Sequence, residues 1–116
     1  QIGTPTYAVD LAATILKIIE SRNTQYGIYH YSNEGVASWY DFALAIQELA
    51  LEKGLLDKII PVLPIPTSAY PTPAKRPQYS VLDKTSAREA FSSCSPTHWR
   101  KQLSSMMDEL EKETNE

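Results

Sequence analysis

The segment from Tyr7 to Arg22 constrains the fold most, because its apolar residues surround a helix instead of forming one stripe. The apolar positions are Val9, Leu11, Ala12, Ala13, Ile15, Leu16, Ile18 and Ile19. A helix that is apolar all round is usually buried on several sides. Either it is the central helix of a small α/β domain, or its partner surface lies outside this chain. The chain opens at Gln1 within apparently structured sequence, which favours the second interpretation and predicts an excised piece of a longer protein.

Charge and composition exclude several classes of partner. The net charge is −3 and the pI is about 5.4, so there is no basic field to attract nucleic acid or an anionic membrane. No segment approaches the roughly 18 apolar residues that a membrane helix needs. Cys94 is the only cysteine, which excludes an internal disulfide and fits a reducing compartment. We therefore expect a cytoplasmic protein without nucleic-acid or membrane partners.

Two further long helices are indicated. Ser38 is an N-cap with Asp41 three residues on as the reciprocal partner, and Gly54 ends that helix. The apolar positions at helical spacing are Trp39, Phe42, Ala43, Ile46, Leu49 and Ala50. Ser95 and Pro96 predict the start of the last helix. Its apolar face contains Trp99, Leu103, Met106, Met107 and Leu110. Core packing is therefore expected for both tryptophans.

The remaining elements are short. Residues 28–31 have β-branched and aromatic side chains and predict a strand. Residues 59–65 contain prolines, which suit an edge strand or an extended segment. Residues 64–77 contain five prolines in fourteen positions and predict a stiff loop, of a length that is often functional. Asp83 can cap a short helix that includes Ala87. This order is typical of the end of an α/β protein, mostly helical, with a few short strands that complete sheets elsewhere.

The sequence carries no catalytic signature. Its four glycines are isolated, so no phosphate-binding glycine loop is present, and the two histidines and one cysteine lack metal-ligand spacing. His30 and His98 suit structural or solvated roles, and Cys94 suits an ordinary thiol. We predict no catalytic, cofactor-binding or metal-binding residue in this chain.

One polar cluster is a candidate ligand site. Lys75 and Arg76 end the proline-rich loop, and Pro77 restricts Arg76 to extended geometry. The arginine fork matches phosphate oxygens, while Tyr79 adds an aromatic face and a hydroxyl. A solvated basic pair is the alternative. The segment containing Thr4 and Thr6 could line a ligand cleft, or Thr6 could cap the first helix.

Several of these segments together resemble the dTDP-4-dehydrorhamnose reductase family. The matching segments are GTPTYAVDLA (3–12), GIYHYSNEG (27–35), SWYDFA (38–43), AKRPQYSVL (74–82) and the closing Trp99 and Leu103. They occur in the family's order and span nearly the whole chain. Each motif alone is modest, but the collinear set is fairly specific.

The resemblance implies an extended short-chain dehydrogenase/reductase in which residues 1–116 form the C-terminal substrate-binding lobe. An N-terminal Rossmann domain, absent here, would bind NADPH and carry the Tyr-x-x-x-Lys pair. The reaction would convert dTDP-4-dehydro-L-rhamnose to dTDP-L-rhamnose, and the fragment alone would be inactive. The implied partners are the dTDP-sugar, the chain's own Rossmann domain and a possible homodimer.

By position, the resemblance implies that Arg76 binds the diphosphate of the substrate. Further substrate contacts are assigned to Lys75, Tyr79, Thr4 and Thr6. Related epimerases carry a second phosphate-binding arginine where this chain has Gly3 and Thr4. Either Arg76 bears more of the phosphate charge, or an upstream residue shares it.

Two other classes of function stay open. One is a non-catalytic regulatory homologue that keeps the fold and acts through protein contacts. The other is a self-sufficient binding module, which would be a compact monomer with no uncovered apolar face. An intact Tyr-x-x-x-Lys pair and a glycine-rich turn upstream would favour the reductase over the regulator.

Overall fold

The structure is a computed structural model that describes residues 1–92 and 94–115. Four α-helices dominate it: α1 (Ala8–Ser21), α2 (Trp39–Glu52), α3 (Thr85–Ala90) and α4 (Trp99–Asn115). Two strands of two residues each, β1 (Ile2–Gly3) and β2 (Ala37–Ser38), form an antiparallel pair, and a short 3₁₀ turn spans Thr67–Ala69. The expected mostly helical chain with few, short strands is confirmed.

The main core lies between α2 and α4. Its buried residues are Ala37, Ala45, Leu49, Ala50, Trp99, Leu103 and Met107. The predicted faces therefore meet in part, through Leu49 and Ala50 of α2 and Trp99, Leu103 and Met107 of α4. Ile46 and Leu110, which were predicted on these faces, are exposed. The Trp99 indole nitrogen donates to the Val36 carbonyl at 3.2 Å, which satisfies its one polar atom. The core role predicted for Trp99 is confirmed.

A smaller cluster of Ala87, Phe91 and Cys94 lies under α3. The Tyr29 ring meets Phe91 edge-on at 4.8 Å between centroids. Burial raises the pKa of the nearby Tyr31 hydroxyl. Cys94 is buried and free, in keeping with the prediction of an ordinary thiol.

The capping box of α2 is present in full. The Asp41 amide donates to Ser38 Oγ at 3.0 Å, and the Ser38 amide donates to Asp41 Oδ2 at 3.0 Å. Hydrogen bonds from the Ser38 backbone, and secondly its side chain, lower the pKa of the Asp41 carboxyl. Gly54 follows the helix at a φ of 75°, the left-handed conformation that glycine adopts without strain. Both predicted ends of this helix are confirmed.

The strand predicted for residues 28–31 is wrong. These residues form no regular element, and Ile28 is 87% exposed. Strand propensity needs a neighbouring ladder to pair with, and among the described residues the only two-strand sheet joins β1 to β2. Residues 59–65 form no strand or other regular element. The Ile60 amide donates at 2.7 Å to the Gln47 side chain instead of to a ladder.

The last helix begins at Trp99, three residues later than Pro96 predicts. The segment before it forms a parallel bridge to Glu34. The Glu34 amide donates to the Thr97 carbonyl, and the Trp99 amide donates to the Glu34 carbonyl, both at 2.9 Å. These bonds hold residues 97 and 98 out of the helix. At α3, Asp83 accepts from the Thr85 amide at 2.9 Å but lies one residue before the N-cap position, Lys84.

Helix α1 has no buried residue. Val9, Ile15, Leu16 and Ile19 are 57%, 50%, 56% and 68% exposed. The interpretation of α1 as a buried central helix is therefore wrong, and the described residues leave most of its apolar surface uncovered.

Among the described residues, no helix has both the length and the apolar character needed to cross a bilayer.

Candidate functional site

Strand β1 lies between two segments that are distant from it in sequence, β2 and the end of the proline-rich loop. On one side it pairs with β2, with Ile2 opposite Ser38 and Gly3 opposite Ala37. On the other side it meets the end of the proline-rich loop. The Ile2 amide donates to the Gln78 carbonyl at 2.7 Å, and the Ser80 amide donates to the Ile2 carbonyl at 2.8 Å. The basic end of the loop is thereby fixed beside the N-terminal segment and the start of α2.

Gly3 suits this close approach of two backbone segments. A Cβ atom at Gly3 would lie 3.3 Å from the Ser80 carbonyl oxygen. Contacts that short force the neighbouring backbone to move, and here that backbone belongs to the β1 contact itself. The glycine therefore lets the loop approach β1 closely.

These segments enclose a cleft of about 510 Å³, within the range of small-molecule sites. Thr4 and Thr6 line one wall, Trp39 and Phe42 line another, and Arg76 and Pro77 close it from the loop. The structure thus brings together three of the five predicted site residues: Thr4, Thr6 and Arg76.

The Arg76 side chain is open to a ligand. It is exposed, and the described part of the chain offers it no hydrogen bond or ion pair. Arg88 and Arg100, by contrast, pair with Glu34 and Glu48 respectively. Arg76 can therefore direct its fork of donors at an anion in the cleft.

The two threonines have structural hydrogen bonds. Thr4 Oγ1 donates to the Gly35 carbonyl at 2.7 Å, and Thr6 Oγ1 donates to the Thr4 carbonyl at 3.1 Å. Each hydroxyl proton is committed, so toward a ligand the threonines can only accept hydrogen bonds. Thr6 does not cap α1; the N-cap residue is Tyr7.

A buried amide holds this threonine wall in place, and sequence analysis missed it. Asn33 is fully buried and accepts from the Tyr7 amide at 2.8 Å. Its side-chain nitrogen donates to Asp10 Oδ2 at 2.8 Å, and Asp10 also accepts from Gln102. Asn33 therefore ties its own turn to the start of α1, and Asp10 carries the link on to α4 through Gln102. Asn33 belongs to one of the matched motifs, but no local pattern reveals its partners.

Lys75 and Tyr79 are exposed and do not line the cleft. Tyr79 contributes its backbone, as the parallel bridge partner of Ile2. Any side-chain contact from either residue would have to reach a ligand extending beyond the cleft.

Trp39 lies on the cleft wall and not in the core. It is 69% exposed, whereas Trp99 is 7% exposed, so the core role predicted for Trp39 is wrong. Trp39 is the first helical residue after the cap Ser38, where a side chain can project beyond the surface that the helix packs against. Trp99 is also the first residue of its helix and is buried, so position at a helix start did not distinguish the two tryptophans.

No group of three or more histidine, cysteine, aspartate or glutamate side chains within residues 1–92 and 94–115 could hold a metal ion.

Comparisons with known proteins show the family of this chain. The family model for the RmlD substrate binding domain matches residues 1–112. The chain is 43% identical over 107 residues to dTDP-4-dehydrorhamnose reductase of Aggregatibacter actinomycetemcomitans, covering 89% of this chain and 36% of that protein. It is 42% identical to the spore coat polysaccharide biosynthesis protein SpsK of Bacillus subtilis, covering 94% of this chain and 35% of that protein.

Two solved structures have the same fold. A dTDP-4-dehydrorhamnose reductase of Clostridium acetobutylicum matches with a TM-score of 0.81 at 39% identity, over 96% of this chain and 36% of that one. The enzyme of Bacillus anthracis, solved in complex with NADP, matches with a TM-score of 0.76 at 34% identity, over 94% and 35%. This chain thus spans about a third of the length of its relatives. It belongs to the RmlD substrate-binding domain family.

Proposed function

We propose that this chain is the dTDP-sugar-binding lobe of an NADPH-dependent dTDP-4-dehydrorhamnose reductase. The reaction would reduce dTDP-4-dehydro-L-rhamnose to dTDP-L-rhamnose. The observation that carries the proposal is Arg76 on the wall of a cleft of suitable size, with a guanidinium that the described residues leave unpaired. The relatives of this chain include proteins that bear that enzyme's name. A diphosphate is the part of the substrate that such a donor fork matches best.

The residues of this chain indicate which part of the enzyme binds the nucleotide sugar and which part binds the cofactor. Its glycines at 3, 27, 35 and 54 are isolated, so its residues do not fit the phosphates of a dinucleotide. NADPH, which supplies the hydride when bound, is assigned to a Rossmann domain outside this chain. The lobe proposed here spans residues 1–116 and contributes binding and orientation of the nucleotide sugar.

The uncovered face of α1 supports contact with that Rossmann domain. Four large aliphatic side chains on this helix are at least half exposed, and such a patch usually marks an interface. In the proposal, Lys75 and Tyr79 are weaker contacts to parts of the substrate outside the cleft, and Thr4 and Thr6 shape its wall. The proposal also includes a cytoplasmic location, supported by the single free cysteine. A homodimer stays a prediction.

A turnover assay tests the proposal. The full-length protein that contains this chain is mixed with NADPH and dTDP-4-dehydro-L-rhamnose, and NADPH consumption and dTDP-L-rhamnose formation are followed together. We expect one sugar formed for each NADPH oxidised, and no turnover from residues 1–116 alone. Binding of the dTDP-sugar without turnover would favour a regulatory homologue, and absence of binding would contradict the proposal.

A further inference from the structure

Trp39 presents an aromatic surface to the cleft that no role described above uses. It is 69% exposed and lines the same cleft as Arg76. It directly follows Ser38, whose backbone is paired with Ile2 in the small sheet. The position of its backbone is therefore set by the sheet on one side and by the capped helix on the other.

The side chain of Trp39 is also held in place. Its indole nitrogen donates to Gln1 Oε1 at 3.3 Å. Its ring meets Phe42 edge-on at 6.2 Å between centroids, and Phe42 in turn meets the buried Trp99 at 6.1 Å. A chain of aromatic contacts thus connects Trp39 to the core. A braced aromatic side chain loses little conformational freedom when a ligand binds to it.

We propose that Trp39 is the stacking platform for the thymine base of the bound nucleotide, while Arg76 binds the diphosphate. This inference rests on the proposed function. A dTDP-sugar carries one planar aromatic group, the base, and one doubly anionic group, the diphosphate. The cleft offers the exposed indole of Trp39 and the guanidinium of Arg76, which has no partner among the described residues, and these match those two groups in kind. Stacking on an aromatic side chain is tolerant of base identity and adds about 5- to 100-fold to affinity.

The experiment measures binding of dTDP, which has no sugar, and of inorganic pyrophosphate, which has no base, by calorimetry on the full-length protein. We expect Trp39→Ala to weaken dTDP binding by about 5- to 100-fold and to leave pyrophosphate binding unchanged. Trp39→Phe should retain most of the dTDP affinity because it keeps an aromatic face. Tyr70→Ala is the matched control, since Tyr70 is 70% exposed and does not line the cleft; it should bind dTDP normally.

Three results would overturn the inference. Unchanged dTDP affinity in Trp39→Ala would show that the base does not stack on Trp39. If the variant lost affinity for the dTDP-sugar but bound dTDP normally, the indole would contact the sugar and not the base. A lower melting temperature of both Trp39 variants with normal dTDP affinity would assign it to packing against the rest of the protein. In each case the unsubstituted protein still binds the nucleotide, so the proposed function survives; failure of the unsubstituted protein to bind dTDP would overturn both.

Discussion

Replacing Arg76 by alanine is expected to weaken dTDP-sugar binding by about 10- to 100-fold, with NADPH affinity nearly unchanged. The physical reason is the loss of a charge-assisted hydrogen bond, worth about 1.5–3 kcal/mol, from a guanidinium that the described residues leave unpaired. The Michaelis constant for the nucleotide sugar and the dissociation constant for NADPH, both measured on the full-length protein, check this result. Arg76→Lys should recover part of the affinity, because it keeps the charge but loses the bidentate fork.

A matched control comes from Arg100, which already pairs with Glu48 at 2.8 Å on an exposed surface. Arg100→Ala removes the same charge from the protein but should leave the Michaelis constant within about twofold, because exposed pairs contribute little. If both variants had the same effect, the loss would reflect net charge and not a contact at the cleft. An unaltered Michaelis constant in Arg76→Ala would show that Arg76 does not contact the nucleotide sugar.

Truncating the exposed face of α1 is expected to destabilise the full-length protein strongly. Ile19 is 68% exposed and Leu16 is 56% exposed in this chain. If the Rossmann domain covers them, Leu16→Ala and Ile19→Ala should each cost about 2–5 kcal/mol of unfolding free energy, as buried aliphatic truncations do. Chemical denaturation of the full-length protein, followed by tryptophan fluorescence and by circular dichroism, measures this cost.

Lys17 lies between these two residues on the same helix and is exposed, so Lys17→Ala is the control. It should change the unfolding free energy by no more than about 0.5 kcal/mol, the usual range for surface substitutions. Losses equally small for Leu16→Ala and Ile19→Ala would show that α1 stays open to solvent in the whole protein. The proposed interface with a Rossmann domain would then be wrong.

Elements specified by neighbouring residues could be predicted from the sequence. The α2 helix is an example, because Ser38 and Asp41, three residues apart, cap its start, and Gly54 ends it through its own backbone conformation. The centres of the apolar faces of α2 and α4 were likewise readable from helical spacing, since Leu49, Leu103 and Met107 are buried as predicted.

Features that depend on distant partners could not be predicted. The segment 28–31 has strand-forming side chains but no ladder to join within the described chain. Pro96 suits a helix start, yet hydrogen bonds between Glu34 and residues 97–99 delay the helix to Trp99. The burial of Asn33 follows from partners at Tyr7 and Asp10, which no local pattern specifies.

The candidate site was predictable only where neighbouring residues in the sequence specify it. Arg76 stood out because Pro77 and the preceding prolines stiffen its loop locally. Trp39 did not, because the helical spacing that places a residue on the apolar face does not say where the packed surface ends. Lys75 is a neighbour of Arg76 in sequence but does not line the cleft.

The most direct test of the central claim is a crystal structure of the full-length protein with dTDP bound. The account predicts that the nucleotide lies in this cleft, with its phosphate oxygens about 2.7–3.2 Å from the Arg76 guanidinium nitrogens. A nucleotide bound elsewhere, with the Arg76 side chain pointing into solvent, would contradict it.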